Sequence, residues 1–392
     1  MNALRMFSAA LVLAGAISAG GFSGEREAVA LHSQAVEMYN QTRYAEAESL
    51  YRQALEIWEK AGAEASRERA VGRQNLGALL AIVGRYAEGE ALLAKAVDEL
   101  ERTTGPQSIE VGRALRDFAV LYQSHGEPVK AEASVRRAIG ILDGATAAEE
   151  RERVGLRVML ASIYVEERRS AEAEQLLRSL VERGDAGQTV AVYSALTAVA
   201  IEQGRLTEAV QWGRTAVERA RVVLPAGHPA VAAAANNLAQ VYRFQGRFAE
   251  AEQSYREAIA AWEGTLGRSH PNVAKGLMNL GALYHERGRE TGAEALYRRA
   301  ADMLDERLGK NSVQALVARN ELSDVLRAEH RYHEAERLGS ETLSGLERQL
   351  KPEDSRVIEA LANQARLYQE TQRTVEAARV QARLRTLRQT VL

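Results

Sequence analysis

Apolar side chains recur at helical spacing on both sides of a short turn at Arg85-Tyr86. The apolar positions before the turn are Leu76, Leu79, Leu80 and Val83, and those after it are Leu92, Leu93, Ala96 and Val97. Spacings of three and four residues place such side chains on one face of a helix. Gly84 precedes the turn, and a glycine ends a helix in the left-handed conformation at little cost. The pattern predicts two helices, A and B, that pack through their apolar faces.

The same turn recurs nine times along the chain. Successive turns are 42 residues apart, except that the fourth and fifth are 36 residues apart. The turns begin at Arg43, Arg85, Glu127, Arg169, Arg205, Arg247, Arg289, Arg331 and Arg373. So steady a period indicates a stacked array, in which each helix pair buries its apolar face against its neighbours.

Two columns of small residues indicate where helices A and B cross. Eight positions before each turn the chain has Ala35, Gly77, Ala119, Ala161, Thr197, Ala239, Gly281, Ser323 and Ala365. Four positions after it the chain has Ala47, Gly89, Ala131, Ala173, Ala209, Ala251, Ala293, Ala335 and Ala377. A glycine inside a helix costs about 1 kcal/mol relative to alanine. Gly77 and Gly89 therefore predict a close approach of two helix backbones.

The links between helix pairs carry signals for the start of the next helix A. His228-Pro229 and His270-Pro271 supply a capping residue followed by a first-turn proline. The link around Glu182 to Gly187 is six residues shorter than the others, which predicts a local change of superhelical twist. We expect two groups of helix pairs: repeats 1–4 in residues 25–184 and repeats 5–9 in residues 187–388.

The amino-acid composition excludes several classes of protein and of functional site. Apolar residues make up 46% of the chain and charged residues 27%, as in globular proteins rather than disordered ones. The net charge of -2 provides no basic field for nucleic acid. The absence of cysteine excludes disulfides, thiolate nucleophiles and cysteine-ligated metal sites.

The first residues have the features of a secretory signal. A short basic start at Met1 to Arg5 precedes an apolar run at Met6 to Ile17, and small residues follow at cleavage-like spacing. The run is shorter than the ~20 residues that span a bilayer as a helix. We therefore expect a signal peptide at residues 1–19, no membrane span after its removal, and an exported protein, periplasmic or secreted.

Three of the repeats carry a recognisable pattern. The matching sets are Leu76-Gly77 with Gly89 and Ala96, Leu238-Ala239 with Tyr242, Ala251, Tyr255 and Ala258, and Leu280-Gly281 with Tyr284, Ala293, Tyr297 and Ala300. They resemble the tetratricopeptide repeat, and the 42-residue period resembles its kinesin light chain type, which is found widely in bacterial proteins. The resemblance covers about residues 26–388. It implies an all-α, right-handed superhelix of about nine helix pairs, with helix A lining a concave groove that binds proteins or extended peptides.

The usual catalytic and metal-binding motifs are missing from the sequence. No GxSxG or SxxK pattern provides a serine nucleophile, and the HExxH spacing of zinc proteases does not occur. His228 and His270 occupy the same place in successive repeats, as expected of helix caps. The sequence therefore predicts no catalytic residue, no metal site and no cofactor.

Asparagine recurs two positions before the small residue of helix A, although it is a poor helix former. This column contains Asn75, Asn237, Asn279 and Asn363, with Asp117 and Glu321 at the equivalent positions of two other repeats. The family resemblance implies that the column faces the groove, where an amide can bond a peptide backbone. A hydrogen bond within the repeat is an equally good explanation. The predicted groove-facing neighbours are Asn236, Gln240, Arg243, Lys275, His285, Asn320 and Arg327.

The sequence therefore favours a non-enzymatic module that binds a protein or an extended peptide. The groove residues do not match the carboxylate clamp of chaperone-binding repeats, so a ligand with an acidic C-terminal motif is not indicated. One alternative is an architectural scaffold of an envelope or secretion complex, which apolar patches outside the groove would favour. A second is a hydrolase built on helical hairpins, which a deep pocket with two buried carboxylates would support.

Overall fold

The computed structural model describes residues 24–142, 147–181, 189–225 and 227–390. Within these ranges the chain forms eighteen α-helices and one short 3-10 helix, and no β-strand. The chain divides into two compact units between Arg205 and Leu206. The predicted signal peptide at 1–19 and most of the shortened link lie outside the described residues. None of the described helices is both long and apolar enough to cross a membrane.

Odd-numbered helices are A helices and even-numbered ones are B helices. The N-terminal unit contains α1 Glu25–Asn40, α2 Tyr44–Ala61, α3 Ser66–Ile82, α4 Tyr86–Thr104, α5 Ile109–Ser124, α6 Pro128–Ile141, α7 Ala147–Glu166, α8 Ser170–Val181 and α9 Thr189–Glu202, with a 3-10 helix at Gly62–Ala65. The C-terminal unit contains α10 Leu206–Val223, α11 Pro229–Phe244, α12 Phe248–Leu266, α13 Pro271–Glu286, α14 Glu290–Leu308, α15 Val313–Ala328, α16 Tyr332–Glu347, α17 Ser355–Glu370 and α18 Thr374–Thr390. The predicted all-α fold of repeated helix pairs is confirmed.

Helices A and B cross at the small residues. A Cβ atom added to Gly89 would lie 2.9 Å from the backbone oxygen of Gly77, so only glycine fits this crossing without a shift. In the next repeat Ala119 and Ala131 occupy the same places and are fully buried. The close approach predicted from the small-residue columns is therefore present.

In several repeats the arginine of the turn bonds a glutamate in the first turn of helix B. Arg85 bonds Glu88 in the first turn of α4 and also donates from Nη1 to Glu48 Oε1 of the preceding B helix at 2.6 Å. The same bridge to the preceding B helix occurs in the pairs Arg169–Glu132, Arg289–Glu252, Arg331–Glu294 and Arg373–Glu336, each 37 residues apart. We call this row of pairs the turn ladder. It also spans the shortened repeat, where Arg205 bonds Glu174, 31 residues away.

Side-chain caps begin several A helices. The Nδ1 atoms of His228 and His270 accept the backbone N–H of Ala230 and Asn272 at 3.2 and 3.1 Å. Burial lowers the pKa of His270 to about 4, with a further contribution from nearby Arg307. The imidazole of His270 therefore stays neutral and keeps its acceptor at physiological pH.

Successive A helices contact each other within each unit. In the C-terminal unit the contacting neighbours are α11 with α13, α13 with α15, and α15 with α17. We call the surface formed by the polar and charged side chains of these four helices, with Phe244 at the end of α11, the A face. It contains most of the groove residues predicted from the sequence.

Candidate functional site

Amide side chains link two pairs of neighbouring A helices in the C-terminal unit, α11 with α13 and α15 with α17. Asn279 Nδ2 donates to Asn236 Oδ1 at 3.0 Å, and Asn363 Nδ2 donates to the carbonyl oxygen of Asn320 at 3.4 Å. In both pairs the partners are 43 residues apart, one position more than the repeat period. Neighbouring A helices are thus offset by one residue, and this offset decides which side chains meet.

The same spacing occurs within the N-terminal unit. Asn75 Nδ2 lies 2.9 Å from His32 Nε2, and Gln74 Nε2 donates to Asp117 Oδ2 at 2.7 Å. Burial lowers the pKa of His32 to about 4, so its imidazole is neutral and Nε2 can accept the Asn75 proton. A hydrogen bond of this kind contributes about 0.5–1.5 kcal/mol to stability. These amides therefore hold successive A helices together.

A second row of bridges lies seven residues, or two helical turns, further along the A helices. Arg243 Nη1 lies 3.8 Å from Glu286 Oε2, and Arg327 donates to Glu370. Arg327 and Glu370 are again 43 residues apart. Polar contacts therefore join neighbouring A helices at two positions along their length, two helical turns apart.

Asp324 on α15 is the centre of the charged part of the A face. Arg327 Nε donates to Asp324 Oδ1 at 2.8 Å, and Arg366 donates to Oδ2 at 3.1 Å. His285 Nε2 lies 3.3 Å from Oδ2, while His285 Nδ1 lies 2.6 Å from Glu290 Oε2. Asp324 itself is only 8% exposed. A buried carboxylate is thus surrounded by three cationic side chains.

These contacts change the protonation of both partners. The hydrogen bond with Asp324, together with that to Glu290, raises the pKa of His285 to about 9. Burial by itself would raise the pKa of Asp324, but the hydrogen bonds from His285 and Arg327 outweigh it and hold that pKa well below its usual range. At neutral pH His285 is therefore an imidazolium paired with a carboxylate.

Two further carboxylates lie near Asp324 on the A face. Burial, with repulsion from Glu359 and Asp324, raises the pKa of Glu321 to about 7. Burial also raises the pKa of Glu359. The Tyr297 hydroxyl of α14 lies 3.5 Å from Glu321 Oε2. Glu321 is therefore only partly ionised at neutral pH, unlike the paired Asp324.

Phe244 is an exposed aromatic side chain at the C-terminal end of α11. It is 44% exposed, and the guanidinium carbon of Arg243 lies 5.0 Å from its ring centroid. That separation allows a cation–π contact. The A face thus offers an apolar surface beside a cation as well as its polar bridges.

The groove residues predicted from the sequence lie on A helices, but they differ in burial. The buried ones are Asn75, Asn236, Asn320 and Asn363. The half-buried ones are Asn237, Gln240, Arg243, Lys275, Asn279, His285 and Arg327. Asn75, Asn236, Asn279 and Asn363 bond neighbouring A helices, so for these four the hydrogen bond runs between repeats rather than within one. Ligand binding by any of them stays a prediction.

Sequence reasoning missed Asp324, Arg366 and Phe244. Asp324 and Arg366 each directly follow the small residue of helix A, at Ser323 and Ala365. The place of each charged residue, directly after the small residue of helix A, could have been noticed in the sequence. In an α-helix that next position turns towards the neighbouring repeat. The partners of these charged residues could not be read from the sequence.

The described part of the chain has a cavity of about 410 Å³ where α2, α3 and α4 meet, but only one of its two carboxylates, Glu99, is buried. The cavity beside Asp324 has a volume of only about 10 Å³, room for about one water molecule rather than a substrate. Apart from Phe244, the exposed large apolar side chains are Val129, Val222 and Val375, on three different B helices. Single exposed apolar residues are normal on a protein surface. No group of three or more potential metal ligands occurs among the described residues.

Models of known protein families match the repeats of this chain. Family models of the tetratricopeptide repeat match residues 28–61, 68–143, 188–263 and 230–306, which together span more than half of the chain. The resemblance predicted from the repeat pattern is confirmed. No curated protein matches the chain in sequence.

Several solved structures share the fold. The apo form of the quorum sensor NprR from B. thuringiensis is 14% identical, with a TM-score of 0.55, and the match covers 81% of this chain and 87% of NprR. Rap protein complexed with Competence and Sporulation Factor is 14% identical, with a TM-score of 0.54, and the match covers 94% and 99%. A putative kinesin light chain with TPR-like repeats from Podosopora anserina is 22% identical, with a TM-score of 0.42, over 50% and 93%. At these identities the likeness concerns the fold alone.

Proposed function

Because the chain belongs to the tetratricopeptide repeat family, we propose that the A face of its C-terminal unit binds an extended segment of a partner protein. The module acts by binding and carries out no chemical reaction. Rap protein, which has a similar fold, was solved in complex with Competence and Sporulation Factor. Helical repeats of this kind can therefore present a ligand-binding surface.

The observation that carries the proposal is the position of Phe244. It is the exposed aromatic residue of a face that is otherwise polar, and Arg243 lies against its ring. Aromatic and arginine side chains dominate the binding energy of protein interfaces. A partner segment with an apolar side chain could bury this ring while its backbone meets the half-buried amides of Asn279 and Gln240.

The A face is also ordered before a partner binds. Asp324 is held by His285, Arg327 and Arg366, and Asn279 is held by Asn236. Immobilising a long side chain on binding costs about 0.5–1.5 kcal/mol. Side chains that are already fixed avoid that loss, so more of the contact energy appears as affinity.

A selection of random linear peptides displayed on phage, panned against the full chain, tests the proposal. The affinity of selected peptides is then measured for the wild type and for Phe244→Ala. We expect the substitution to weaken binding at least tenfold, since an interface anchor contributes about 2 kcal/mol or more. Asn279→Ala should weaken it by a smaller factor.

The matched control is Val375→Ala, which removes an exposed apolar side chain from α18, a B helix. Circular dichroism of all variants should stay unchanged, because both apolar sites are exposed. Failure to enrich any peptide, or equal weakening by Val375→Ala and Phe244→Ala, would reject the A face as the binding site.

We also propose that the protein is exported, to the periplasm or beyond the cell. The support is the basic and apolar pattern of residues 1–19, which lie outside the described residues. A reporter that is active only after export, fused behind residue 392, should be active with the full chain and inactive when residues 1–19 are deleted. Equal reporter activity from both fusions would contradict export through this segment.

A further inference from the structure

A cavity in the N-terminal unit is lined by residues that take no part in the A face. Its volume is about 410 Å³, within the range of small-molecule sites. It lies where the end of α2, the 3-10 helix, the start of α3 and the end of α4 meet. The lining residues are Glu59, Ala63, Ser66, Arg69, Arg73, Glu99, Arg102 and Thr103. We call it the arginine cleft.

A buried ion-pair cluster forms the floor of the arginine cleft. Glu99 is 4% exposed and is bonded by two arginines. Arg69 Nε donates to Glu99 Oε2 at 3.3 Å, and Arg73 Nη1 donates to the same oxygen at 2.9 Å. Arg69 Nη1 also donates to the Gly62 carbonyl oxygen at 2.5 Å. The cluster is therefore held rigidly from several directions.

Three other repeats, the third, seventh and ninth, show that the fold does not require charges at the positions of Arg69 and Arg73. At the position of Arg69 they have Val111, Val273 and Val357, all fully buried. At the position of Arg73 they have Leu115, Leu277 and Leu361, and at the position of Glu99 they have Met303 and Leu387. Replacing a buried ion pair by apolar residues is often neutral or stabilising. In those three repeats apolar side chains pack at this junction, whereas the fourth repeat also has arginines at the two helix A positions, Arg153 and Arg157, paired with Glu150.

The arginine cleft carries more positive than negative charge. Arg69, Arg73 and Arg102 face only Glu59 and Glu99. Arg102 uses Nε to bond the Asp98 carbonyl oxygen at 3.1 Å, and within the described residues its two terminal nitrogens make no hydrogen bond. Arg73 Nη2 has only a 3.3 Å bond to Glu59, which is exposed. Donors with a fork geometry remain available at the mouth of the cleft.

We propose that the arginine cleft binds a small ligand through an oxyanion, a carboxylate or a phosphate, held between Arg73 and Arg102. The guanidinium fork matches both groups in shape and charge. Glu99 keeps Arg69 and Arg73 in position and neutralises part of their charge. The oxyanion then supplies the negative charge that the cleft lacks. This site is separate from the A face and does not depend on its function.

Titration of the full chain with inorganic phosphate, and separately with acetate, tests the proposal. The arginine Nε–H signals are followed by ¹⁵N NMR, with sodium chloride of equal ionic strength as the reference. We expect saturable shifts of the Arg73 and Arg102 signals with at least one of the two anions, and the better anion identifies the ligand class. Arg102→Ala should weaken binding about tenfold, since it removes charge-assisted hydrogen bonds.

Two more variants separate binding from structure. Arg67→Ala removes an exposed arginine of α3, the helix that carries Arg73. Arg67 bonds Glu110 outside the cleft, so its removal should leave the anion affinity unchanged. Glu99→Gln should strengthen anion binding about tenfold, because it removes the competing carboxylate while keeping its shape. Absence of saturable shifts with both anions, or equal affinity of wild type and Arg102→Ala, would overturn the proposal.

Discussion

The charged part of the A face predicts that stability of the C-terminal unit falls as the pH rises above neutral. Raising the pH removes a proton from the imidazolium of His285, whose two ring nitrogens lie against Asp324 and Glu290. The pKa of His285 is about 9 in the folded protein, against 6.5 for an unperturbed histidine. The folded state therefore binds this proton more tightly than the unfolded state.

The direction and the size of the pH effect on stability follow from this difference in pKa. The stabilisation is fully present below about pH 6.5 and is lost as the pH rises through about 9. One pKa unit corresponds to about 1.4 kcal/mol, so the loss is on the order of 3 kcal/mol. Glu321 adds a loss of the same sign at lower pH, because its pKa of about 7 also lies above the unfolded value. Between about pH 7.5 and 9.5 the effect belongs mainly to His285.

The assay combines two measurements on the wild type and on His285→Gln. NMR of the imidazole Cε1–H gives the pKa of His285 directly, and urea unfolding followed by circular dichroism gives the change of stability with pH. We expect the unfolding midpoint of the wild type to fall between about pH 7.5 and 9.5, and that of His285→Gln to change much less. A His285 pKa near 6.5, or equal pH dependence of the two proteins, would refute the reasoning.

Three smaller predictions concern the packing and the caps, each measured by thermal and urea unfolding. Gly89→Ala should destabilise the protein by about 1–3 kcal/mol, because its Cβ would meet the Gly77 oxygen at 2.9 Å. Gly140→Ala, in a helix with no atom within 4 Å of the new Cβ, should instead stabilise it by up to about 1 kcal/mol. His270→Ala should cost about 0.5–2 kcal/mol through the lost cap on Asn272, and His270→Asn should restore most of it.

The fold could be predicted from the sequence because the decisive contacts are local and repeated. The crossing at Gly77 and Gly89 needs only that two helices of one hairpin meet at their small residues, and the 42-residue period repeats that contact. The caps at His228 and His270 are likewise formed with residues two positions away. Contacts of this kind are determined within a short stretch of chain.

The candidate site was less predictable because its contacts join different repeats. The asparagine column marked the right helices, but Asn279 bonds Asn236 rather than Asn237, since neighbouring A helices are offset by one residue. That offset depends on how the helices pack, which a repeat period does not reveal. Asp324 resembles a solvated surface residue in the sequence, and only its burial among three cations shows otherwise.

The turn ladder has a consequence for how such a chain can change during evolution. Each pair of the turn ladder joins an arginine to a glutamate of the preceding hairpin. The pair Arg205–Glu174 is formed although the link between these two hairpins is six residues shorter. Duplicating or excising a hairpin whose neighbours both carry the pair would leave an arginine facing an equivalent glutamate at the new seam; the turns at Glu127 and at Arg247, which has Val210 37 residues before it, lack the pair. A gene of this type can therefore lengthen or shorten in modules without inventing a new contact at each junction.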